Sequence, residues 1–268
     1  MDPVKILQNL KPQFIKAGKL ACQMQGTIKP QYKSNTGNPF VDIVTKADFK
    51  VQEFLLQAIA ETELINCKLF AEENTPTVTK FKGSNKFYLM IDPINGTSLY
   101  ANKSKHFDMV ISLHDGKNLL YTLKHYPALN WTHEIVGNNY FVTGQTPKFN
   151  LPAVAKQSIV YYEGNPKQFS PDVYARLEAK GIVFRKKPDI SSDYGATTMY
   201  LANQVAGYYD ENANVYDGLV SMHFAIAKGY KIYSGDSLGR EFSLFGIKKR
   251  TSGFYYPGYY LALSELAN

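Results

Sequence analysis

Three acidic positions stand where predicted structural elements begin or end. Glu72 follows the short apolar run 67–71, Asp92 follows the apolar run 86–91, and Asp217 opens a predicted late helix. Carboxylates at strand ends point into the crevice where open sheets bind ligands. Several carboxylates in one crevice repel one another, and a hard cation such as Mg²⁺, which prefers oxygen ligands, makes that crowding tolerable. The pattern therefore predicts a divalent-cation site.

The turn DPINGT, which contains the second acidic position, adds further groups to this site. Pro93 presets its own φ and favours an extended Asp92, so that the carbonyl of Ile94 can face a metal. Gly96 lets the backbone approach a ligand closely. Thr97 is predicted to cap the helix that follows, whose N–H groups favour a phosphate, and its hydroxyl can orient a water. Metal ligands and a phosphate-binding backbone thus share one short turn.

Each of these features also has an ordinary structural explanation. A D-P-x-x-G-T sequence alone fits a plain strand–turn–helix junction, and an aspartate before a helix is commonly its N-terminal cap. Two adjacent glutamates after a strand are a weaker signal still. The combination of the three features, in this order along the chain, favours chemistry over structure alone.

The composition indicates a folded protein with anionic partners. The 268 residues are 44% hydrophobic and 20% charged, which suits one large domain or two small ones. A formal net charge of +7 favours anionic partners, which are nucleic acid, membrane lipid or phosphorylated small molecules. Two cysteines without a CxxC motif predict neither a disulfide framework nor a zinc site. The N-terminus lacks the apolar core of a signal peptide and no apolar run reaches about 18 residues, so we expect a cytoplasmic protein.

Residues 1–146 are predicted to form an α+β domain with an antiparallel sheet. The spacing of apolar residues predicts a helix over 4–25, interrupted at Pro12, and a second over 45–63, capped by Thr45 or Asp48. Alternation and apolar runs predict strands over 67–71, 86–91, 107–113, 118–126, 131–136 and 140–142. The turn-rich stretch 31–44 indicates a loop or hairpin.

Residues 147–268 are predicted to form an α/β domain that completes the active-site cleft. The boundary lies in the Gly- and Pro-rich segment 144–153. Predicted strands over 158–164, 181–186, 208–211 and 230–234 alternate with predicted helices over 170–180, 195–207 and 215–229.

The acidic positions and the DPINGT turn, taken with the sequence around them, resemble the inositol monophosphatase superfamily. These proteins are metal-dependent, lithium-sensitive phosphatases and include bisphosphate nucleotidases. The resemblance covers most of the chain. The similar stretches are VDIVTKADFKVQEFL, LFAEEN, IDPINGTSLY, the strands beginning at HFDMVISL, SSDYGATTMYLANQVAGYYD and VYDGLVSMHFAIAKGYKI. The D-P-x-x-G-T motif and the late aspartate are specific in this order and spacing.

The resemblance implies a fold, a cofactor and a set of site residues. The fold is a layered α-β-α-β-α sandwich that combines α+β and α/β features, and the cofactor is Mg²⁺, as two or three ions, with inhibition by Li⁺. The implied metal ligands are Glu72, Asp92, the Ile94 carbonyl, Asn95 and Asp217. The implied catalytic residues are Asp48, Thr97 and Glu72, of which Asp48 and Thr97 orient the attacking water. The implied substrate contacts are Gly96, Thr97, Asp210 and Ala196.

Asn95 departs from the family, which has aspartate at this position. Its amide oxygen can still coordinate, but one negative charge is lost, so we expect the second metal site, with Asp92 and Asp217, to weaken first. The sequence leaves open three explanations for an asparagine at this position. The protein has naturally diverged toward an inactive or altered form, the residue was substituted to trap a complex, or the Asn-Gly pair deamidates to give Asp or isoAsp. We predict that Asn95→Asp raises both phosphatase activity and Mg²⁺ affinity. Ala71 and Tyr216 also differ from the family's residues and mark a divergent member.

The resemblance implies a Mg²⁺-dependent phosphomonoesterase that hydrolyses a small anionic ester, first of all inositol monophosphate or a related sugar phosphate. Two alternatives stay open: a 3′,5′-bisphosphate nucleotidase, and a catalytically weakened member that acts as a binding protein. A homodimer is expected by resemblance. The basic residues cluster only over 185–187 and 248–250, so we expect neither a nucleic-acid nor a membrane partner.

Overall fold

Two structural units make up the chain, and the first is assembled from three separate segments. The structure, a computed structural model, describes residues 2–27, 31–32, 43–166, 171–235, 243–250 and 253–267. The first unit comprises residues 1–145, 215–217 and 249–254, and the second comprises residues 146–214, 218–248 and 255–268. A single boundary after residue 146 therefore omits two later segments that belong with the first unit.

The first unit is built on a six-stranded sheet. Its helices are α1 Pro3–Gln25, α2 Lys46–Ala60 and α3 Thr97–Ala101. Its strands are β1 Gln31–Tyr32, β2 Ile43–Val44, β3 Lys68–Ala71, β4 Tyr88–Asn95, β5 Asp108–His114, β6 Leu119–Tyr126, β7 Trp131–Val136 and β8 Asn139–Thr143. Strands β3 to β8 lie in sequence order, and every neighbouring pair is antiparallel except β3 and β4, which are parallel. β1 and β2 pair separately, and residues 33–42 of the predicted loop or hairpin lie outside the described residues.

A hydrophobic core joins the two long helices to this sheet. Leu7 and Phe14 of α1, Leu55 of α2, and Ile91 and Leu123 of the sheet are all fully buried in one cluster. The helical residues recur at the three- and four-residue spacings that place side chains on one helix face. The sequence periodicity thus fixes which face of each helix is buried.

Pro12 lies inside α1 without ending it, contrary to the predicted interruption. The residue is exposed, so its ring lies on the solvent side of the helix. Water can there satisfy the carbonyl that loses its N–H partner, which lowers the cost of a proline in a helix interior.

The second unit contains a five-stranded mixed sheet. Its helices are α4 Pro171–Ala179, α5 Lys187–Ile190, α6 Ala196–Leu201 and α7 Val220–Lys228. The remaining strands are β9 Ser158–Tyr161, β10 Val183–Lys186, β11 Gly207–Glu211, β12 Ile232–Gly235, β13 Lys248–Arg250, β14 Gly253–Tyr255 and β15 Tyr259–Leu263. The sheet order is β10-β9-β11-β15-β12, whereas β13 and β14 pair with each other and lie mostly within residues 249–254 of the first unit. β9 is parallel to β10 and β11, whereas β15, which the sequence did not predict, is antiparallel to its neighbours.

The late helix begins five residues after its predicted start. α7 starts at Val220, with Leu219 at the N-cap position, and residues 215–219 form turns. Asp217 therefore lies in the connection before the helix and is not its N-terminal cap. Among the described residues, none of the helices combines the length and the apolarity that a membrane crossing needs.

Candidate active site

The parallel pairing of β3 and β4 brings two of the predicted acidic residues together. Ala71 pairs with Ile91 at the last register position of the two strands. The next residues, Glu72 and Asp92, therefore follow the same pair at the same edge, and the Glu72 amide donates to the Ile91 carbonyl at 3.2 Å. The two carboxyl groups are hydrogen bonded to each other.

The third acidic residue, Asp217, lies in a short later segment of the chain that belongs to the first unit. Residues 215–217 belong to that unit, and the Val215 amide donates to the Phe254 carbonyl at 3.1 Å. The Phe254 ring packs edge-on against Phe70 of β3, with ring centroids 5.1 Å apart. These contacts attach the segment that carries Asp217 to the strand that precedes Glu72.

Mutual repulsion among the carboxyl groups shows that the three residues share one electrostatic environment. Burial, followed by the charges of Glu72 and Asp217 and the hydrogen bond with Glu72, raises the pKa of Asp92 well above its usual range. Burial raises the pKa of Asp217 to about 6, with Lys124 acting in the opposite direction and Glu72 adding to the increase. Carboxylates held together at such a cost are a common feature of functional sites.

The turn after Asp92 differs in detail from its prediction. β4 continues through Pro93 to Asn95, with a shift of register between Asp92 and Asn95. Such an irregularity tolerates a proline because no ladder hydrogen bond is required there. Gly96 then adopts a left-handed conformation with φ 80°, which glycine enters without steric strain.

Thr97 is the first residue of α3 and not its cap, which is Gly96 without a side-chain bond. Its hydroxyl lies 3.0 Å from the Ile94 carbonyl and 3.4 Å from Asp48 Oδ1. Both oxygens are acceptors, so the single hydroxyl proton points toward this pair. The prediction that Thr97 and Asp48 act together gains a geometric basis, while their roles remain predictions.

Asp48 is held by the first turn of α2. Thr45 and Asp48 form a reciprocal capping box, in which Asp48 Oδ2 accepts from the Thr45 amide at 2.8 Å and from its hydroxyl at 2.6 Å. Burial raises the pKa of Asp48 to about 7, and the charges of Glu72 and Glu73 add to that increase against the Thr45 hydrogen bonds. A carboxyl group near neutrality is suited to exchange protons at physiological pH.

Gln52, one turn further along α2, fixes the backbone of the acidic turn. Its side chain is fully buried. Its Oε1 accepts from the Glu73 amide at 2.9 Å, and its Nε2 donates to the Glu73 carbonyl at 2.5 Å. The sequence did not single out this residue, because a glutamine in an amphipathic helix has no distinctive pattern.

Two further residues that the sequence did not single out, Asp108 and Lys124, lie beside the acidic group. Lys124 Nζ is 2.6 Å from Asp108 Oδ1, and both side chains are almost completely buried. Asn95 Nδ2 donates to the same oxygen at 3.1 Å. The sequence signal for this pair was a charged residue within each of two neighbouring predicted strands. The strand register was needed to show that the two side chains meet.

The predicted metal ligands include a donor set that suits a hard divalent cation. Glu72, Asp92 and the Ile94 carbonyl offer the oxygen atoms that Mg²⁺ prefers, and the Asn95 Nδ2 group donates to Asp108 Oδ1. In the described part of the chain, no three His, Cys, Asp or Glu side chains surround a common point closely enough to hold a metal. A shared ion therefore requires the carboxylates to rotate toward it.

Ala196 and Asp210, the predicted substrate contacts of the second unit, have local partners there. Ala196 begins α6 and its amide donates to the Tyr162 hydroxyl at 3.3 Å. Asp210 lies on β11 and accepts from the Tyr208 hydroxyl at 3.0 Å. Their role in binding substrate stays a prediction.

Comparison with known proteins decides the family. The family model described as "Inositol monophosphatase family" matches residues 5–217. This chain belongs to the inositol monophosphatase family. Family membership supports phosphatase activity and agrees with the motifs in the acidic turns.

Individual family members show how far the likeness extends. A 3′(2′),5′-bisphosphate nucleotidase, CysQ of Haemophilus influenzae, is 31% identical over 91 residues, which is 34% of this chain and 33% of that protein. The match thus spans about a third of that relative's length.

Solved structures of the family share the fold. A staphylococcal IMPase-I complexed with products has a TM-score of 0.65 at 14% identity, covering 98% of this chain and 92% of its own. An IMPase/NADP phosphatase complexed with Mg²⁺ and phosphate has a TM-score of 0.63 at 15% identity, with the same coverage of 98% and 92%. The predicted fold class is confirmed.

Proposed function

We propose that this member of the inositol monophosphatase family is a Mg²⁺-dependent phosphomonoesterase acting on a small anionic ester. The observation that carries the proposal is the meeting of Glu72, Asp92 and Asp217, which are far apart in sequence, in one group where the charge of Glu72 raises the pKa of both aspartates. Such a group is tolerable when a divalent cation binds it. The Mg²⁺ in a solved relative's complex supports the choice of ion.

Glu72, Asp92 and the Ile94 carbonyl would hold a Mg²⁺ ion. When bound, the ion would supply Lewis acidity, which lowers the pKa of a water and stabilises charge on phosphoryl oxygens. Asp48, with a pKa raised to about 7, accepts the proton of the attacking water, and the Thr97 hydroxyl orients that water beside it. The protein would therefore contribute positioning and charge, through the first turns of α2 and α3, the end of β3, and strand β4.

An inositol monophosphate or another sugar phosphate is the first substrate to test. Solved family structures named as IMPases support it, and the net charge of +7 favours an anionic ligand. A 3′,5′-bisphosphate nucleotide is the second candidate, because the similar nucleotidase aligns over 91 residues. A binding protein without catalysis is the third possibility, and retention of the three carboxylates argues against it.

A phosphate-release screen separates these candidates. Inositol monophosphates, sugar phosphates and adenosine bisphosphates are each incubated with the protein, with Mg²⁺ or with EDTA. We expect Mg²⁺-dependent release from one class. Asp48→Asn is the matched variant, because it keeps the size of the side chain and removes the proton acceptor. Hydrolysis that is equal in EDTA, or equal in Asp48→Asn, would contradict the proposed mechanism.

A further inference from the structure

A buried ion pair adjoins the proposed metal site. Lys124 Nζ and Asp108 Oδ1 are 2.6 Å apart, and the two side chains are 1% and 4% exposed. Removing both charges from water is expensive, and such pairs often contribute little to stability compared with apolar residues. Stability alone therefore does not explain this pair, whereas a role in setting the charge of the neighbouring site does.

The strand register places the pair directly against the acidic turn. Asp92 of β4 pairs with Val110 of β5, and Val110 pairs with Lys124 of β6. Directly paired residues project from the same face of a sheet. Asp92 and Lys124 are therefore on one face with a single strand between them, and the lysine reaches diagonally to Asp108.

Asn95 completes a chain of contacts that leads from the turn to the lysine. Its Nδ2 donates to Asp108 Oδ1, the same oxygen that binds Lys124 Nζ. Asn95 and Asp108 are also paired between β4 and β5. The asparagine thus presents N–H groups to a carboxylate, in an orientation that an aspartate at this position could not adopt without repulsion.

The charge of Lys124 also acts on Asp217. It favours the ionised form of that carboxyl group against the effect of burial and of the neighbouring acids. Lys124 is therefore close to two of the residues, Asn95 and Asp217, that the family resemblance assigns to a second metal ion.

We propose that the Lys124 ammonium, fixed by Asp108, provides the positive charge on this side of the site, so that each chain binds one divalent cation. The inference rests on the proposed Mg²⁺-dependent hydrolase. The lysine is covalently attached and does not dissociate, so the site keeps part of its positive charge at any metal concentration. Asn95 is the neutral residue that this arrangement requires.

Counting bound Mn²⁺ tests the inference. Free Mn²⁺ is measured by electron paramagnetic resonance during titration of the full chain, with and without inorganic phosphate. We expect one ion per chain in the parent, and two in the variant Asp108→Asn/Lys124→Met, which removes both charges and leaves no unpaired buried ion. Lys187→Met is the matched control, since Lys187 is a buried lysine of the second unit that donates to the Ser192 carbonyl. It should leave the count at one.

The outcomes distinguish this inference from the proposed function. Two ions in the parent, or one ion in the folded charge-neutral variant, would overturn the inference while hydrolysis in the screen leaves the function intact. One ion in the parent, two in the neutral variant and no hydrolysis of any ester would support the inference and overturn the function. No Mn²⁺ in the parent would overturn both. Thermal unfolding with and without Mn²⁺ confirms that each variant is folded.

Discussion

The Gln52 side chain forms two hydrogen bonds with the backbone of Glu73. Its Oε1 accepts from the Glu73 amide at 2.9 Å, and its Nε2 donates to the Glu73 carbonyl. The glutamine lies on α2 and the glutamate follows β3, so the contact sets the position of the acidic turn relative to the helix that carries Asp48. Two predicted parts of the site are thereby fixed to each other by one side chain that has no catalytic role of its own.

Gln52→Met should therefore weaken both the fold and the site. The variant removes the hydrogen bonds that the Gln52 side chain makes with the Glu73 amide and carbonyl, and each such loss at a buried site costs about 1–3 kcal/mol. We expect the free energy of unfolding in urea to fall by about 2 kcal/mol or more, and Mg²⁺ to bind more weakly because Glu72 is displaced. Gln57→Met is the control, because Gln57 is exposed on the same helix and bonds only Glu53. Equal stability of the two variants would contradict the role of Gln52.

Asp48→Asn should separate catalysis from stability. The asparagine fits the same space but does not accept a proton, and loss of a general base commonly lowers kcat by about 10²–10⁴-fold. Removing a buried carboxylate with a raised pKa relieves a desolvation cost, so the urea midpoint should change little. A kcat within about threefold of the parent, well short of that range, would rule out Asp48 as the proton acceptor.

Mg²⁺ affinity should fall as the pH is lowered through the pKa of Asp217, which is about 6. Ionised Asp217 adds negative charge beside the proposed ion, so cation binding below this pH is coupled to loss of its proton. Calorimetry in buffers of different ionisation enthalpy would detect that proton release. Asp217→Asn should bind Mg²⁺ more weakly and show a shallower pH dependence. Identical pH dependence in the parent and the variant would exclude Asp217 from the binding equilibrium.

Asn95→Asp should raise Mg²⁺ affinity more strongly when Lys124 is absent. In the parent, the new carboxylate would face Asp108 across the 3.1 Å contact that Asn95 now makes, and Lys124 would neutralise it. In the Asp108→Asn/Lys124→Met background both effects disappear. We expect the gain in affinity to be at least about tenfold larger in that background, a coupling of about 1.4 kcal/mol in a double-mutant cycle. Additive effects would show that the lysine and position 95 are independent.

Acid should destabilise the sheet of the first unit through its buried histidines. Burial lowers the pKa of His114 to about 4, of His125 to about 4 and of His133 to about 3. The unfolded chain, with histidine pKa values near about 6.5, therefore binds more protons at these histidines as the pH falls from about 6.5 toward 4, and their contribution to the free energy of unfolding decreases.

His114→Phe tests this pH dependence. The ring still stacks on Tyr88, as His114 does now with a centroid distance of 4.7 Å, but it no longer titrates. The slope of unfolding free energy against pH should become shallower by up to about 1.4 kcal/mol per pH unit. The buried carboxyl groups have raised pKa values and change the unfolding free energy in the opposite direction. Their contribution is the same in the parent and in His114→Phe, so it cancels when the two slopes are subtracted. An unchanged slope would contradict the assignment of a lowered pKa to His114.

Elements with a strong period were predicted closely from the sequence. The expected helix over 45–63 is observed as Lys46–Ala60, and the expected strand over 107–113 as Asp108–His114. The helix has apolar residues at helical spacing, whereas the strand is a short apolar run that is buried along its whole length. The capping box of Thr45 and Asp48 is likewise a local pattern, formed by residues three apart.

The errors arose where long-range pairing decides the structure. β15 becomes a strand because β11 and β12 lie on either side of it, a fact that its own residues do not encode. Asp217 lies in a turn because residues 215–217 are bonded to the later segment around Phe254. The contact of Asp108 with Lys124 depends on strand register, which local sequence does not specify.

The interleaving of segments in the first unit limits how the protein can be divided. A fragment ending at residue 145 retains Glu72 and Asp92 but lacks residues 215–217, and with them Asp217. A single cut at this boundary leaves residues 215–217 and 249–254 of the first unit on the carboxy-terminal fragment. Reconstitution from two separately expressed fragments would thus restore the full acidic group only by complementation.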